Sequence, residues 1–219
     1  MKIASRIISI LFHPMLIVSY GLLLLLLLNP YLFVVQDYKV KMLLIFSVVS
    51  LTLLFPLLAT LMMKGLGLIQ SLEMDDKKER IGPMIVSAVF YMWLFANFRS
   101  NSFVPEAFKF FVLGSTISLS LAFVLNTQTK ISLHTVGMGG LLTGFILIRY
   151  FYLYETFVVN FLGNVYQVQT NIVLLLIIIA AGLVGSARLL LGAHNPDQIY
   201  GGYFIGMISM LLAFRFIVL

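Results

Sequence analysis

The chain has 219 residues, of which 61% are hydrophobic and 10% are charged, and its mean hydropathy is +1.07. A soluble domain is about half apolar and about a quarter charged, so this composition excludes an ordinary soluble protein and predicts an integral membrane protein. The lack of cysteine excludes disulfides and thiolate nucleophiles. The net charge of +6 suits basic helix ends that meet anionic headgroups, so we expect membrane lipids as partners and no nucleic acid.

Seven stretches of the chain approach the roughly 20 apolar residues that a transmembrane helix needs. They do not alternate as the strands of a β-barrel would. The basic start resembles a signal peptide, but no small-residue cleavage site interrupts its apolar run, so we expect a retained first helix. We predict an all-α membrane protein, a polytopic transmembrane helix bundle in a single domain over 1–219. The predicted spans are 7–28, 42–63, 84–98, 107–125, 135–151, 172–191 and 199–219.

The loops after the second, fourth and sixth predicted spans lie on one side of the membrane, here called side A, because an even number of spans returns the chain to its starting side. These loops contain SLEMDDKKERIGP, NTQTKISLH and GAHNPDQ, the three most polar stretches near the spans. Ionisable groups near membrane depth are costly and indicate function. We therefore predict a functional site on side A. Lysine and arginine are spread over both sides too evenly to fix the orientation.

The stretch SARLLLGAHNPDQIYGG, residues 186–202, places a cation, a histidine and an acid close together. Arg188 ends an apolar run, where it could reach for headgroups or bind an anion. Asn195 is a candidate N-cap, followed by Pro196 and by Asp197 in the first helical turn. A second interpretation makes His194 a nucleophile or base that the Asp197 carboxylate orients. The two interpretations are compatible.

The stretch KISLHTVGMGG places Lys130, Ser132 and His134 just before the fifth span. It is typical of a lysine-flanked helix entry with a serine cap. It also offers a second histidine that could donate a proton to a leaving oxygen. The three glycines that follow, residues 137, 139 and 140, are typical of close helix packing.

The stretch EMDDKKERIGP carries charges of both signs. It is typical of a solvated loop. Lys78 and Arg80, however, immediately precede a helix start near Pro83, and cations beside a helix N-terminus suit a phosphoryl group. Together, side A offers the charge neutralisation, nucleophile and acid that phosphoryl transfer to a histidine needs. We expect no metal and no cofactor.

The three stretches resemble the signatures of the type 2 phosphatidic acid phosphatase superfamily. Arg188 and His194 keep the five-residue gap of the third signature, although Ala187 separates Ser186 from the arginine. The family's aspartate position, four residues after the histidine, is filled by Gln198, and Asp197 stands one residue earlier. ISLH keeps the serine and histidine of the second signature, Pro-Ser-Gly-His. KKERIGP keeps the cations and proline of the first, which ends in Arg-Pro.

The resemblance implies a membrane phosphatase that hydrolyses a lipid phosphate or an isoprenoid diphosphate. His194 would attack phosphorus and become a phosphohistidine, and His134 would protonate the leaving group. Asp197 would hold the nucleophile, in altered geometry. By the same resemblance, the compact chain with short loops suggests a multi-pass protein of the bacterial cytoplasmic (inner) membrane. The phosphate-binding residues would be Arg188, Arg80, Lys78, Ser132 and Lys130.

Two other functions stay open at this point. The departures from the signatures favour an inactive lipid-binding or lipid-transport protein on the same fold. The pair Asp75 and Asp76 suggests a prenyltransferase-like enzyme, but such enzymes hold Mg²⁺ with two aspartate-rich motifs, and NPD is a poor second one.

Overall fold

The structure is a computed structural model that describes residues 1–34, 37–74 and 76–219. The chain folds almost entirely into α-helices, with one β-hairpin between the seventh and eighth. The α-helices are α1 (Lys2–Leu11), α2 (Ile17–Leu28), α3 (Tyr38–Val49), α4 (Phe55–Gly65), α5 (Ile81–Arg99), α6 (Glu106–Asn126), α7 (Leu133–Phe151), α8 (Thr170–Leu190) and α9 (Pro196–Val218), and the strands are β1 (Thr156–Phe161) and β2 (Asn164–Gln169).

Within the described ranges, six helical segments are long and apolar enough to cross a membrane. They support a multi-pass integral membrane protein and confirm the predicted all-α polytopic bundle. The segments are Lys2–Leu28, Tyr38–Gly65, Ile81–Arg99, Glu106–Asn126, Thr170–Leu190 and Pro196–Val218.

The predicted span 135–151 falls within α7, a 19-residue helix that is not one of those six segments. His134, Arg149 and several glycines lower its mean hydropathy. Helix α7 nevertheless lies inside the bundle, packed against α6, α8 and α9. Its lower hydropathy follows from this position, because the helix faces other helices more than lipid.

Proline interrupts the first two spans in different ways. His13 has an extended backbone (ψ 138°) and separates α1 from α2, since the residue before Pro14 is pushed out of the helical region. Between α3 and α4, a π-helical turn, Ser50–Leu54, precedes Pro56. Such a turn accommodates the backbone hydrogen bond that proline cannot make. The first break matters for the site, because α1, on its N-terminal side, packs against α8.

Glycines set the closest helix contacts, those of α9 with α7. A Cβ added at Gly139 would lie 2.9 Å from Cα of Tyr203, and one added at Gly206 would lie 2.5 Å from the backbone nitrogen of Gly140. A Cβ added at Gly137 would lie 2.9 Å from the Ile17 side chain. The prediction that this glycine cluster permits close packing is confirmed. Close approach of backbones is how helices associate in lipid.

The β-hairpin was not anticipated by the sequence analysis. Strand β1 pairs antiparallel with β2, and the turn at Leu162 and Gly163 has positive φ at both residues (50° and 81°). That pattern is typical of a two-residue hairpin turn. The hairpin follows the C-terminus of α7, so it lies at the opposite end of that helix from the side-A loops.

The three side-A loops meet, in agreement with the count of spans, which predicted that they lie on the same side of the membrane. Nη1 of Arg80 donates to the carbonyl oxygen of Ile131 (3.2 Å), which joins the first loop to the second. Nδ1 of His194 lies 3.1 Å from the carbonyl oxygen of Lys130, which joins the third loop to the second. One polar centre therefore forms where three separate parts of the chain converge.

Candidate active site

A cavity of about 170 Å³ begins among the side-A loops and continues between the helices. This figure is the volume open to the centres of water molecules. Loop residues Glu73 and Met74 lie at its polar end, and apolar side chains of α2, α5, α6, α7 and α9 surround the rest. All three histidines of the chain and two arginines line it. They are His13, Arg80, His134, Arg188 and His194.

The hydrogen bonds of His194 define which ring nitrogen carries the proton. Nδ1 lies 3.1 Å from the carbonyl oxygen of Lys130 and 3.1 Å from Oε1 of Gln198. The same Oε1 accepts from the backbone nitrogen of Asn195 at 3.2 Å, which fixes the orientation of the amide. Both neighbours of Nδ1 are acceptors, so Nδ1 carries the proton. The Nε2 lone pair of this buried histidine is thereby left for chemistry.

Gln198, rather than Asp197, supplies the side-chain oxygen that contacts His194 in the described chain. The reason is the position of the helix start. Asn195 is the N-cap of α9, Pro196 is its first residue and Asp197 is exposed in its first turn, as the capping interpretation predicted. His194 precedes the cap, so helical spacing does not govern which side chain it meets. Gln198 folds back onto the cap instead and reaches the imidazole.

His194 lies outside the spans, between α8 and α9, and its surroundings favour the neutral imidazole. Burial lowers the pKa of His194 to about 4, and the positive charges of Arg80 and Arg188 add to this shift. The hydrogen bonds to Gln198 and to the Lys130 carbonyl oppose it. A neutral ring at physiological pH is the state in which Nε2 can act as a nucleophile.

His134 is held by the N-terminal helix. Its Nε2 lies 3.0 Å from the carbonyl oxygen of Ser9 on α1. A carbonyl can only accept, so Nε2 carries a proton and Nδ1 remains as the second functional nitrogen. In nucleophilic catalysis, a catalytic base is commonly oriented in this way by a hydrogen-bond acceptor. Here a main-chain carbonyl provides the acceptor.

The two arginines are anchored from different elements. Arg80 is 7% exposed, and its Nε donates to the carbonyl oxygen of Met74 (3.0 Å) in addition to the Ile131 contact. Nη1 of Arg188, in the last turn of α8, donates to Oγ of Ser9 at 3.3 Å. The guanidinium groups therefore occupy fixed positions on the cavity wall. Two fixed guanidinium groups are a suitable recognition surface for a phosphoryl group.

Four predicted site residues are near this centre without lining the described cavity. Lys130 contributes its carbonyl to His194, and Ser132 is fully buried as the N-cap of α7, against α9. Lys78 is exposed, and its backbone nitrogen donates to the Asp76 carboxylate. The fourth is Asp197. Asp75, of the prenyltransferase interpretation, lies outside the described residues.

His13 and Ser9 were missed by the sequence analysis. The His13 ring stands edge-on to that of His134, with the ring centroids 5.5 Å apart. Nδ1 of His13 accepts from the backbone nitrogen of Met15 and so starts the turn after the break in the first span. A signal was present, because a histidine inside an apolar run is itself a candidate functional residue.

Comparison with known proteins links the C-terminal part of this site to a family. A model of the PAP2 superfamily matches residues 120–218. Over these residues the chain is similar to the PAP2 superfamily. The match confirms the predicted resemblance and contains Lys130, Ser132, His134, Arg188 and His194. The comparisons with curated proteins and with solved structures gave no match.

The match to the PAP2 superfamily supports a phosphatase-type function, and PAP2 phosphatases act on phosphorylated lipids in membranes. The matched region begins within α6, so α1 and the loop that carries Arg80 lie before it. The loop nevertheless supplies Arg80 to the cavity, the segment between α1 and α2 supplies His13, and Ser9 of α1 contacts two cavity residues, His134 and Arg188. The PAP2 region thus shares its site with residues from outside the match.

Proposed function

We propose that this protein hydrolyses the phosphate or diphosphate ester of a lipid through a phosphohistidine on Nε2 of His194. The observation that carries the proposal is the hydrogen bonding of His194. Because Nδ1 donates to two acceptors, the Nε2 lone pair is available in a cavity that Arg80 and Arg188 also line. A nucleophile beside two cations is what phosphoryl transfer requires.

In the first step, Nε2 of His194 forms a bond to phosphorus and the bond from phosphorus to the leaving oxygen breaks. Protonated His134 gives its Nδ1 proton to that oxygen and keeps Nε2 hydrogen-bonded to Ser9. The leaving group departs as a lipid alcohol, or as a lipid monophosphate when the substrate is a diphosphate. Arg80 and Arg188 stabilise the negative charge on the phosphoryl oxygens.

In the second step, water attacks the phosphohistidine. Neutral His134 accepts a proton from that water at Nδ1, the bond between Nε2 and phosphorus breaks, and inorganic phosphate leaves. His194 returns to its neutral state. His134 acts as an acid in the first step, where an oxygen leaves phosphorus. It acts as a base in the second step, where the oxygen of water attacks phosphorus. We assign the remaining predicted residues, Lys78, Lys130, Ser132 and Asp197, supporting roles around the phosphate and the helix start.

The proposed setting is the cytoplasmic membrane of a bacterium, with the headgroup on side A and the lipid tail in the bilayer region. The polar loops gathered at one end of the bundle support the headgroup position. The bacterial membrane is suggested through the family resemblance, by the compact chain with short loops.

The test is phosphate release by purified protein from a panel of lipid phosphates and diphosphates, with EDTA present. Wild type should release phosphate, and His194→Ala should release none while it elutes as the same monodisperse species. Brief incubation with ³²P-labelled substrate, followed by alkaline denaturation, should trap labelled protein in wild type and not in the variant. Folded wild type that neither turns over nor traps label would contradict the proposal.

A lipid-binding or lipid-transport protein on the same fold is the second candidate. One observation favours it, the uncharged Gln198 amide at the contact with His194. An amide stabilises a positively charged imidazole less than a carboxylate does. This candidate predicts headgroup binding that survives His194→Ala, without turnover in either protein.

A further inference from the structure

The proposed nucleophile and one of the two arginines share a short anchoring segment, Lys130 and Ile131. Nδ1 of His194 lies 3.1 Å from the carbonyl oxygen of Lys130. Nη1 of Arg80 donates to the carbonyl oxygen of Ile131 at 3.2 Å. Because consecutive carbonyls hold them, His194 and Arg80 form one side of the cavity, here called the nucleophile side. The phosphorus that His194 would attack belongs on this side.

The proposed acid lies on a second side, which α1 holds. Ser9 contacts His134 through its carbonyl oxygen and Arg188 through its hydroxyl. The His13 ring, four residues after Ser9, stands edge-on to the ring of His134, with the centroids 5.5 Å apart. His13, His134 and Arg188 all line the cavity. We call these three residues the leaving-group side, because His134 would protonate the oxygen that leaves phosphorus.

A close helix contact brings His13 beside His134. A Cβ added at Gly137 would lie 2.9 Å from the Ile17 side chain and 3.8 Å from Cα of Pro14. Gly137 is thus the point at which the start of α2 approaches α7, and it lies three residues after His134. The break before Pro14 and this approach place His13 on the cavity wall next to the proposed acid.

The hydrogen bonding of His13 leaves a donor for a ligand. Its Nδ1 accepts from the backbone nitrogen of Met15 at 3.4 Å, so the proton of the neutral ring is on Nε2. Among the described residues, that nitrogen has no hydrogen-bond partner. A nitrogen–hydrogen donor on the same side of a cavity as a guanidinium suits the oxygens of an anion.

We infer that Nε2 of His13, together with Arg188, binds the second phosphate of a lipid diphosphate, so that His13 determines substrate specificity. The inference rests on the proposed function and adds which of its two substrate classes the site prefers. Phosphoryl transfer keeps the attacking and leaving atoms roughly in line, so the leaving group lies away from His194 and toward His134.

The two substrate classes differ in the atom that follows the leaving oxygen. In a diphosphate this atom is phosphorus, and the oxygens it carries accept from Nε2 of His13. In a monophosphate it is the first carbon of the lipid, which accepts no hydrogen bond. A site built to hydrogen-bond a group discriminates against the analogue that lacks it, because the donor is then left unpaired. His13 therefore favours the diphosphate.

Two substitutions of His13 separate its donor from its part in the turn. In His13→Asn, the side-chain oxygen takes the place of Nδ1 and still accepts from Met15, but no atom reaches the position of Nε2. In His13→Gln, the amide nitrogen reaches about as far as Nε2 and is a donor, whereas the acceptor for Met15 is lost. A binding role thus predicts that the asparagine variant is the defective one. A merely structural role predicts the reverse.

The probes are decylphosphonate and the monodecyl ester of methylenediphosphonate, in which a carbon replaces the oxygen between the two phosphorus atoms. Neither probe is cleaved at its terminal phosphorus. Calorimetry on the full-length protein in lipid nanodiscs gives the ratio of the two dissociation constants, to which the shared decyl chain contributes equally. Wild type should bind the diphosphonate at least about tenfold more tightly, since a hydrogen bond to a charged group is added.

His13→Asn should lose about tenfold of this preference and bind decylphosphonate as wild type does, and His13→Gln should keep most of the preference. An unchanged preference in folded His13→Asn would overturn the inference, and so would a preference kept in the asparagine variant and lost in the glutamine variant. Equal binding of both probes by wild type would also overturn it, and that comparison needs no variant to fold.

The readout is independent of turnover, so the two proposals fail separately. Phosphate release from decyl diphosphate and from decyl phosphate is measured on the same wild-type preparation. If the preference depends on His13 as expected while neither substrate is hydrolysed, the diphosphate site stands and the proposed hydrolysis fails. If phosphate is released but the two probes bind equally, the hydrolysis stands and the role of His13 fails.

Discussion

The carbonyl oxygen of Ser9 lies 3.0 Å from Nε2 of His134, and the hydroxyl of the same serine accepts from Arg188. One residue of the N-terminal helix thus contacts both the proposed acid and one of the proposed phosphate ligands. The inner face of α1 is made of small polar residues, with Ser5 and Ser9 buried, whereas Ile3, Ile7 and Ile10 are exposed. In a membrane this arrangement places the isoleucines in lipid and the serines against the protein.

Ser9→Ala should raise KM for a lipid phosphate about fivefold with a smaller change in kcat, since a long hydrogen bond to a charged group contributes about 1 kcal/mol. The carbonyl that orients His134 stays in place. Steady-state kinetics provide the measurement. Ser5→Ala is the matched control, because Ser5 is equally buried and its hydroxyl bonds only to the Met1 carbonyl in the described chain. Equal effects of the two variants would argue that Ser9 acts through packing alone.

The proposed acid role of His134 predicts a dependence on the leaving group. His134→Gln should slow hydrolysis of an alkyl phosphate by about a hundredfold or more, since general acid catalysis contributes about 10²–10⁴. Hydrolysis of 4-nitrophenyl phosphate, whose leaving group needs no proton, should be affected far less. The comparison of kcat for the two substrates is the measurement. A uniform loss on both would assign His134 to phosphate binding.

The pKa of His194, about 4, predicts an acid limb in the pH profile of kcat/KM. Protonation removes the nucleophile, so activity should fall as the pH drops through that value. Arg80→Gln removes a positive charge that disfavours protonation, which raises the pKa toward the ordinary value of 6.5 and moves the limb to higher pH. Arg215→Gln, at the far end of α9, should leave the limb in place. Only pH values at which the protein stays folded, checked by light scattering, are to be compared.

Gln198 allows the electrostatics of the nucleophile to be changed by one atom. Gln198→Glu keeps an oxygen for Nδ1 of His194 and for the Asn195 nitrogen and adds a negative charge. We expect kcat to rise about tenfold, because a charge-assisted hydrogen bond is about twice as strong as a neutral one. Gln198→Leu removes the acceptor and should lower kcat. A fall in kcat for the glutamate variant would contradict the proposed accumulation of positive charge on His194.

The contact between α7 and α9 predicts a stability difference between two glycines. Gly206→Ala forces a Cβ against the backbone of α7 and should destabilise the protein by about 1–3 kcal/mol. Gly182→Ala, on α8, meets nothing within 4 Å and should be neutral or slightly stabilising. Thermal unfolding of the two variants in the same detergent provides the comparison. Equal midpoints would mean that the helices separate to accommodate the methyl group.

Most of the bundle, and the location of its polar centre, follow from the sequence alone. Long apolar runs predict helices because lipid offers no partner for exposed backbone groups, and counting the spans brings the loops of Arg80, His134 and His194 to one side. The partner of His194 does not follow. This partner depends on where α9 begins. Because Asn195 is the N-cap of α9, the side chain that contacts His194 is that of Gln198 and not that of Asp197, which the sequence suggested.

The contribution of α1 could not be predicted either. Apolar runs indicate which residues enter the membrane, but they do not show how a helix is oriented against its neighbours. The break at His13 redirects α1 onto α8, and this brings Ser9 to His134. The β-hairpin was missed for a different reason, because its strands are short and their pairing depends on a two-residue turn of unusual conformation at Leu162.

The contacts of Ser9 also bear on how the protein is made. Its two partners are 125 and 179 residues away along the chain. Helix α1 is therefore synthesised and inserted long before either partner emerges from the ribosome. A chain that ends before residue 188 has neither the arginine for the Ser9 hydroxyl nor the proposed nucleophile. Completion of the polar centre thus depends on residues that are synthesised long after the helix that contacts them.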